Sequence, residues 1–319
     1  ANWSGDAAPS AGDKVLFGPA SGKDCSWDLA ISVASMTLAP GYTGALSLNS
    51  NVTVLGDLVL SSGTLNIPNA GSTVTLAGDF IRNTPAALVW NTGRVRLAGN
   101  LVLTGLNNTA YSNSTLEFNG SSFQVVSGTG SGLLPLIEVN SSSEVYFNRQ
   151  GGSVGASGIR LASGRLNLGG QSLVKVGGDW VQTGGQFSAG KSTVIFFGGS
   201  FAAPRTVSAL FGNPFSSLRV GDLPQDTWPG HLRALSALDI DGKVILSSGS
   251  FDPGAFTHRV GGDWEQSGGS FAPSSGTVQL DGAQPVRVSL LPGSRFSRLE
   301  LVGSSVTFTA GLAASALSA

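Results

Sequence analysis

Val52-Thr53-Val54-Leu55-Gly56-Asp57-Leu58 is followed by Val74-Thr75-Leu76-Ala77-Gly78-Asp79-Phe80, and then by Val95-Arg96-Leu97-Ala98-Gly99-Asn100-Leu101. The strings start at positions 52, 74 and 95, a period of about 21 residues. A fixed period of this length marks a solenoid, in which each repeat is one supersecondary unit packed against its neighbours. Within each string apolar residues alternate with small polar ones, so one face of a strand points inward. Gly-Asp or Gly-Asn then turns the chain. The expectation is that glycine takes φ > 0 there and that the aspartate bonds its own backbone beyond the turn. A large apolar residue opens the next strand.

A longer unit occupies the second half. Ser163-Gly164-Arg165-Leu166, Val176-Gly177-Gly178-Asp179-Trp180 and Gly184-Gly185-Gln186-Phe187 return as Ser248-Gly249-Ser250-Phe251, Val260-Gly261-Gly262-Asp263-Trp264 and Gly268-Gly269-Ser270-Phe271. The tryptophans stand at positions 180 and 264, four of the short periods apart. The fold expected is all-β, a parallel β-helix (β-solenoid) with rungs of about 21 residues, each of three short strands and three corners. Residues 1–48, denser in charge and aromatics, are expected to form an N-terminal capping segment, since an open solenoid end exposes a strand edge. Residues 49–319 form the solenoid, about 13 rungs of it, with a less regular excursion at 204–241. The structural turns are Gly56, Asp57, Gly78, Asp79, Gly178, Asp179, Gly262 and Asp263, expected to stack along one edge. Trp180 and Trp264 follow the turn at the same phase and are expected in the core stack of equivalent rungs.

The motifs Gly-Gly-Asp-Trp, Ser-Gly-Gly-Ser-Phe and Ser-Gly-Thr-Val-Gln-Leu-Asp-Gly, with the opening Asn2-Trp3-Ser4-Gly5 and Ala11-Gly12-Asp13-Lys14-Val15, resemble those of bacterial secreted and surface β-helix repeat proteins of the adhesin or autotransporter-passenger type. The resemblance implies an extracellular or cell-surface location and a role in adhesion or surface structure. The chain opens Ala1-Asn2-Trp3 and its only methionine is Met36, as expected of an exported chain whose signal peptide has been removed.

Composition narrows the functions. Glycine, at 46 of 319 residues, is about twice as common as usual, yet 41% of the chain is hydrophobic, which excludes disorder. A net charge of −1 argues against a nucleic-acid partner, and no apolar run is long enough to insert in a membrane. One cysteine, Cys25, allows neither an internal disulfide nor a cysteine-rich zinc site. The recurrent aspartates supply one acid per turn, too few for calcium, so no metal or cofactor is expected. Six Asn-X-Ser/Thr sequons, beginning at Asn2, Asn51, Asn107, Asn113, Asn119 and Asn140, follow from turns rich in Asn, Ser and Thr.

No catalytic residues are expected, and the chain is read as non-catalytic. His231 and His258 sit near prolines and turns, read as solvated, and lack a motif. Asp222, Asp226, Asp239 and Asp241, with Trp228, Arg219 and Arg233 in the irregular stretch, are the one place where a polysaccharide lyase or glycosidase could be sought. The reading adopted is an extracellular structural or self-assembling surface protein, a filament or matrix subunit. It is expected to meet itself head to tail through an assembly edge at Val306 and Phe308, where charge and proline are scarce. The alternative is an adhesin or carbohydrate-binding β-helix with a surface polysaccharide as partner. Ice binding would need threonines in fixed register, which the sequence lacks.

Overall fold

A computed structural model of the chain describes residues 3, 7–67, 71–106, 113–130, 132–221, 228–271, 274–303, 305–309 and 314–318. The chain divides into two compact units, Ala1–Gly151 with Ser163–Arg165, and Gly152–Ala162 with Leu166–Ala319. Each is a parallel β-solenoid, and among the described residues there is no helix.

The first unit shows how the repeat becomes a coil. Alternation in Val52–Val54, Leu58–Leu60 and Thr64–Ile67 turns one face of each strand inward, and their apolar side chains on that face are buried. These three strands make one coil. The next coil repeats them as Thr73–Leu76, Phe80–Arg82 and Ala87–Trp90. Register is direct: Val52 opposes Val74, which opposes Val95, and Leu58 opposes Phe80, which opposes Leu101. Like residues therefore stack in ladders, and the main chain bonds to the coil above and the coil below. The strands Lys14–Phe17, Cys25–Trp27, Ser35–Leu38 and Ala45–Leu48 are laid into these same ladders. Within the 1–48 segment the ring of Trp3 packs edge-on against Phe17 at 5.7 Å and Trp27 at 6.1 Å.

The second unit has three ladders. One runs Val174, Val194, Leu218, Val244, Trp264, Val288, Phe308. Another carries Trp180 and continues through Val207 and the strands Gly230–Ala234, Gly249–Asp252 and Ser270–Phe271. The third runs Ile240, Val260, Leu280, Leu301. Trp180 and Trp264 therefore stand on different faces, which corrects the reading of the long unit as four whole rungs. The cause is uneven coil length. Val194, Leu218, Val244 and Trp264 are successive steps of one ladder, and the two coils between Val194 and Val244 are each longer than the coil from Val244 to Trp264. The added residues fall in the connections after Phe196 and after Val220, so the second block arrives one face round from the first.

Local packing survives that rotation. Trp180 meets Phe187 at 4.7 Å and Phe215 at 5.1 Å, and those two rings lie 5.3 Å apart. Trp264 meets Phe271 at 4.9 Å and Phe296 at 5.1 Å, with 5.5 Å between them. Both indoles are buried, with 0% and 1% exposure. Neither indole N–H has a partner among the described residues, so these side chains hold their place by packing alone.

Candidate functional site

The Gly-Asp corners are stitched from coil to coil. The Asp79 N–H donates to Asp57 Oδ1 at 2.8 Å, Asn100 N–H to Asp79 Oδ1 at 2.7 Å, and Val125 N–H to Asn100 Oδ1 at 2.8 Å. Asp179 Oδ1 accepts from Thr206 N–H and Asp263 Oδ1 from Arg287 N–H. The carboxylates serve the next coil rather than their own backbone, a correction to the expectation from sequence, because the stacked N–H lies within reach there. A second correction concerns φ. Gly56, Gly78, Gly178 and Gly262 are absent from the left-handed region, which Gly63, Gly164, Gly185 and Gly269 occupy at the Ser-Gly and Gly-Gly corners. The corner glycines are needed for close approach. A Cβ on Gly178 would run into the Ser157 carbonyl oxygen, and one on Gly262 would lie 2.7 Å from the Gly242 carbonyl carbon. The corners at Gly56 and Gly78 stack directly, Gly78 N–H donating to Gly56 O. Those at Gly178 and Gly262 fall on different edges, as the rotation of the block requires.

Charge on the outer faces likewise works between coils. Arg96, Glu117 and Glu138 are in register on successive strands. Arg94 and Arg96 both bind Glu117, and Arg94 reaches Glu138 at 3.0 Å. The Glu117 side chain is only 3% exposed. Burial pushes its carboxyl up, but the hydrogen bonds and charges of Arg96 and Arg94 outweigh this and hold it below the ordinary range. Beside this cluster a shallow polar groove of about 370 Å³ runs along Ser32, Thr53, Thr75 and Arg96, which follow one another in register. In the second unit Lys243 pairs with Asp263 and Glu265, and Arg233 with Asp252.

Of the acidic patch, Asp222 and Asp226 lie outside the described residues. Asp239 is raised above the usual carboxylate range by burial, reinforced by Asp241 and Asp281, while Arg259 pulls it down. Arg259 in turn lies 4.9 Å over the ring of Phe211. Among the described residues no group of three or more His, Cys, Asp or Glu is placed to hold a metal ion.

Both histidines are buried, which corrects their reading as solvated turn residues. Leu238 N–H donates to His258 Nδ1, so Nε2 carries the proton that it donates to Pro253 O at 2.7 Å. Burial holds this imidazole below its ordinary pKa, against the raising effect of that hydrogen bond. His231 is 8% exposed; its Nδ1 lies 2.9 Å from Ser250 Oγ and its ring 4.4 Å from that of Phe201. Phe201 and Trp228 are themselves exposed. Sequence reading passed over Phe201, and its one signal was position: the Gly-Gly-Ser-Phe string of 268–271 recurs at 198–201, just after Thr193–Phe196, where the second block has Asp281-Gly282-Ala283-Gln284 after Thr277–Leu280. Cys25 is half-buried and its thiol is pushed up by burial, with Asp28 adding to the effect.

At the edge expected to serve assembly, Val306–Phe308 pairs with Val286–Val288 on one side only among the described residues. Val286 and Val288 are buried, whereas Val306 and Phe308 are half-buried and Thr307 is exposed.

The fold defines a class, the parallel β-solenoid repeat protein. The chain matches no protein-family model, no curated protein and no solved structure. No helix among the described residues is long and apolar enough to cross a membrane.

Proposed function

We propose that the chain is a non-catalytic structural element of an extracellular or cell-surface assembly, associating head to tail through the strand Val306–Phe308 near its C-terminal end. The observation that carries this reading is that its polar chemistry joins one coil to the next. The Asp57-Asp79-Asn100 ladder, the Arg94/Arg96–Glu117–Glu138 cluster and the Lys243–Glu265 pair all tie adjacent coils. Side chains used this way favour a cohesive stack over a reaction centre. Likeness of the motifs to exported bacterial repeat proteins supports the location.

The half-covered Val306 and Phe308, on a strand with one side unpaired among the described residues, supply the contact. A head-to-tail contact that does not close on itself generates a filament. Sedimentation of the full chain over a concentration series tests this. Association should grow with concentration and disappear in Thr307→Lys, which places a charge on the exposed edge without disturbing the buried ladder. Deleting residues 304–319 should leave a cooperative melt and a monomer. A chain that stays monomeric at the highest concentration, or associates equally well with Lys at 307, overturns the proposal.

A further inference from the structure

In three successive coils of the second unit the chain passes from the Trp264 ladder to the Trp180 ladder. The connections are residues 197–204, 221–229 and 247–248. The last is a bare step between strands, so the first two are longer than the fold requires. The earlier one is locked in shape. Gly198 and Gly199 take φ of +77° and +76°, and Ser200 and Ala203 exchange backbone hydrogen bonds at 3.1 and 3.2 Å. On this turn Phe201 is 72% exposed. The two connections are also stitched together. Gly198 N–H donates to Pro229 O at 2.8 Å and His231 N–H to Gly198 O at 3.0 Å. Trp228, next to Pro229, is 58% exposed.

Phe201, which lies over His231, and Trp228 keep most of their surface in water beside the hydrogen bonds that join Gly198 to Pro229 and His231. Such display is the mark of a recognition surface. Their polar surroundings decide the ligand. His231, Ser250 and Ser270 follow one another in register, with His231 Nδ1 and Ser250 Oγ 2.9 Å apart. Next to them Arg233 Nε meets Asp252 Oδ2 at 2.9 Å, so its charge is cancelled. The surface thus offers flat apolar faces and the Ser250 and Ser270 hydroxyls beside the buried His231, with Arg205 next to Gly198 as a cation that forms no ion pair among the described residues. An acidic chain would need a run of unmatched cations rather than Arg205 beside the paired Arg233, and a lipid surface a basic rim. A pyranose has a C–H face to lie on an aromatic ring and hydroxyls at its edge for polar partners, the combination of apolar contact and a few placed polar groups that small-ligand sites use.

We propose that Phe201 and Trp228, with His231 and Ser250, form a binding surface for a neutral polysaccharide. Isothermal titration of the intact chain with cellohexaose, chitohexaose and, as the acidic comparison, a galacturonate hexamer tests it. At least one neutral hexamer should bind, with an affinity indifferent to salt. Phe201→Ala and Trp228→Ala should each weaken that binding about tenfold or more, the range of an interface hot spot. Phe201→Tyr should retain it, and the melting temperature of each variant should match the parent. The proposal is overturned if neither neutral hexamer binds, if both alanine variants bind like the parent, or if only the acidic hexamer binds and is released by salt. It stands apart from self-association, since the Thr307→Lys chain should bind the same sugar.

Discussion

Taking Glu117 out of water costs free energy that Arg94 and Arg96 return only while all three are present. Removing one partner of a fully buried pair costs roughly 3–5 kcal/mol. The two arginines keep more than a third of their side-chain surface in water, so Glu117→Gln is expected to cost less, about 1–3 kcal/mol in urea unfolding. Because the folded carboxyl lies below its unfolded value, its contribution is present above that unfolded value and is lost as pH falls through the folded one. His258 acts at higher pH. Its folded pKa is depressed, so as pH drops below about 6.5 the unfolded chain takes up a proton that the folded chain refuses. The melting temperature should fall between pH 7.5 and pH 5.5, and His258→Asn should flatten that part of the curve. A variant with the parent's slope there would remove His258 from the account. Trp180 gives a third test. With no hydrogen-bond partner among the described residues for its N–H, Trp180→Phe should cost no more than about 1–2 kcal/mol, against ~3–5 kcal/mol for Trp180→Ala. Equal losses would mean that the indole N–H matters.

Among elements, the corner sets the tolerance of the chain. Gly178 and Gly170 are both glycines outside the left-handed region, yet a Cβ on Gly178 meets the backbone of Ser157 and one on Gly170 meets nothing within 4 Å. Gly178→Ala is therefore expected to lose about 2–4 kcal/mol in urea unfolding, because stacked main chain cannot step aside. Gly170→Ala should be neutral or gain up to about 1 kcal/mol from a stiffer unfolded chain. The ladder residues Val52, Val74 and Val95 and the corner itself were legible in the sequence because position in the period fixes which side chains stack. The partner of Asp57 was not, since a period says what recurs but not that the N–H of Asp79 in the next coil lies nearest. The rotation between Trp180 and Trp264 was hidden for a related reason: their spacing divides evenly by the period, but two of the intervening coils are longer than one period. Phe201 and the burial of His231 went unread because both depend on a turn outside the repeat.

For the molecule as a whole, a solenoid's stability is close to a sum of neighbour contacts, so an end coil is held from one side and an inner coil from two. Amide exchange should be faster in Val306–Phe308 than in Val286–Ser289 in dilute solution, and the gap should narrow as concentration rises if copies add at that edge. A gap that ignores concentration would separate end fraying from assembly. The aromatic trios of Trp180 and Trp264 pack alike on two different walls of one stack. A segment that fits any wall can be inherited in thirds of a turn: duplication need not conserve full revolutions, and each partial copy swings whatever ornament it carries to a new compass bearing without reopening the interior.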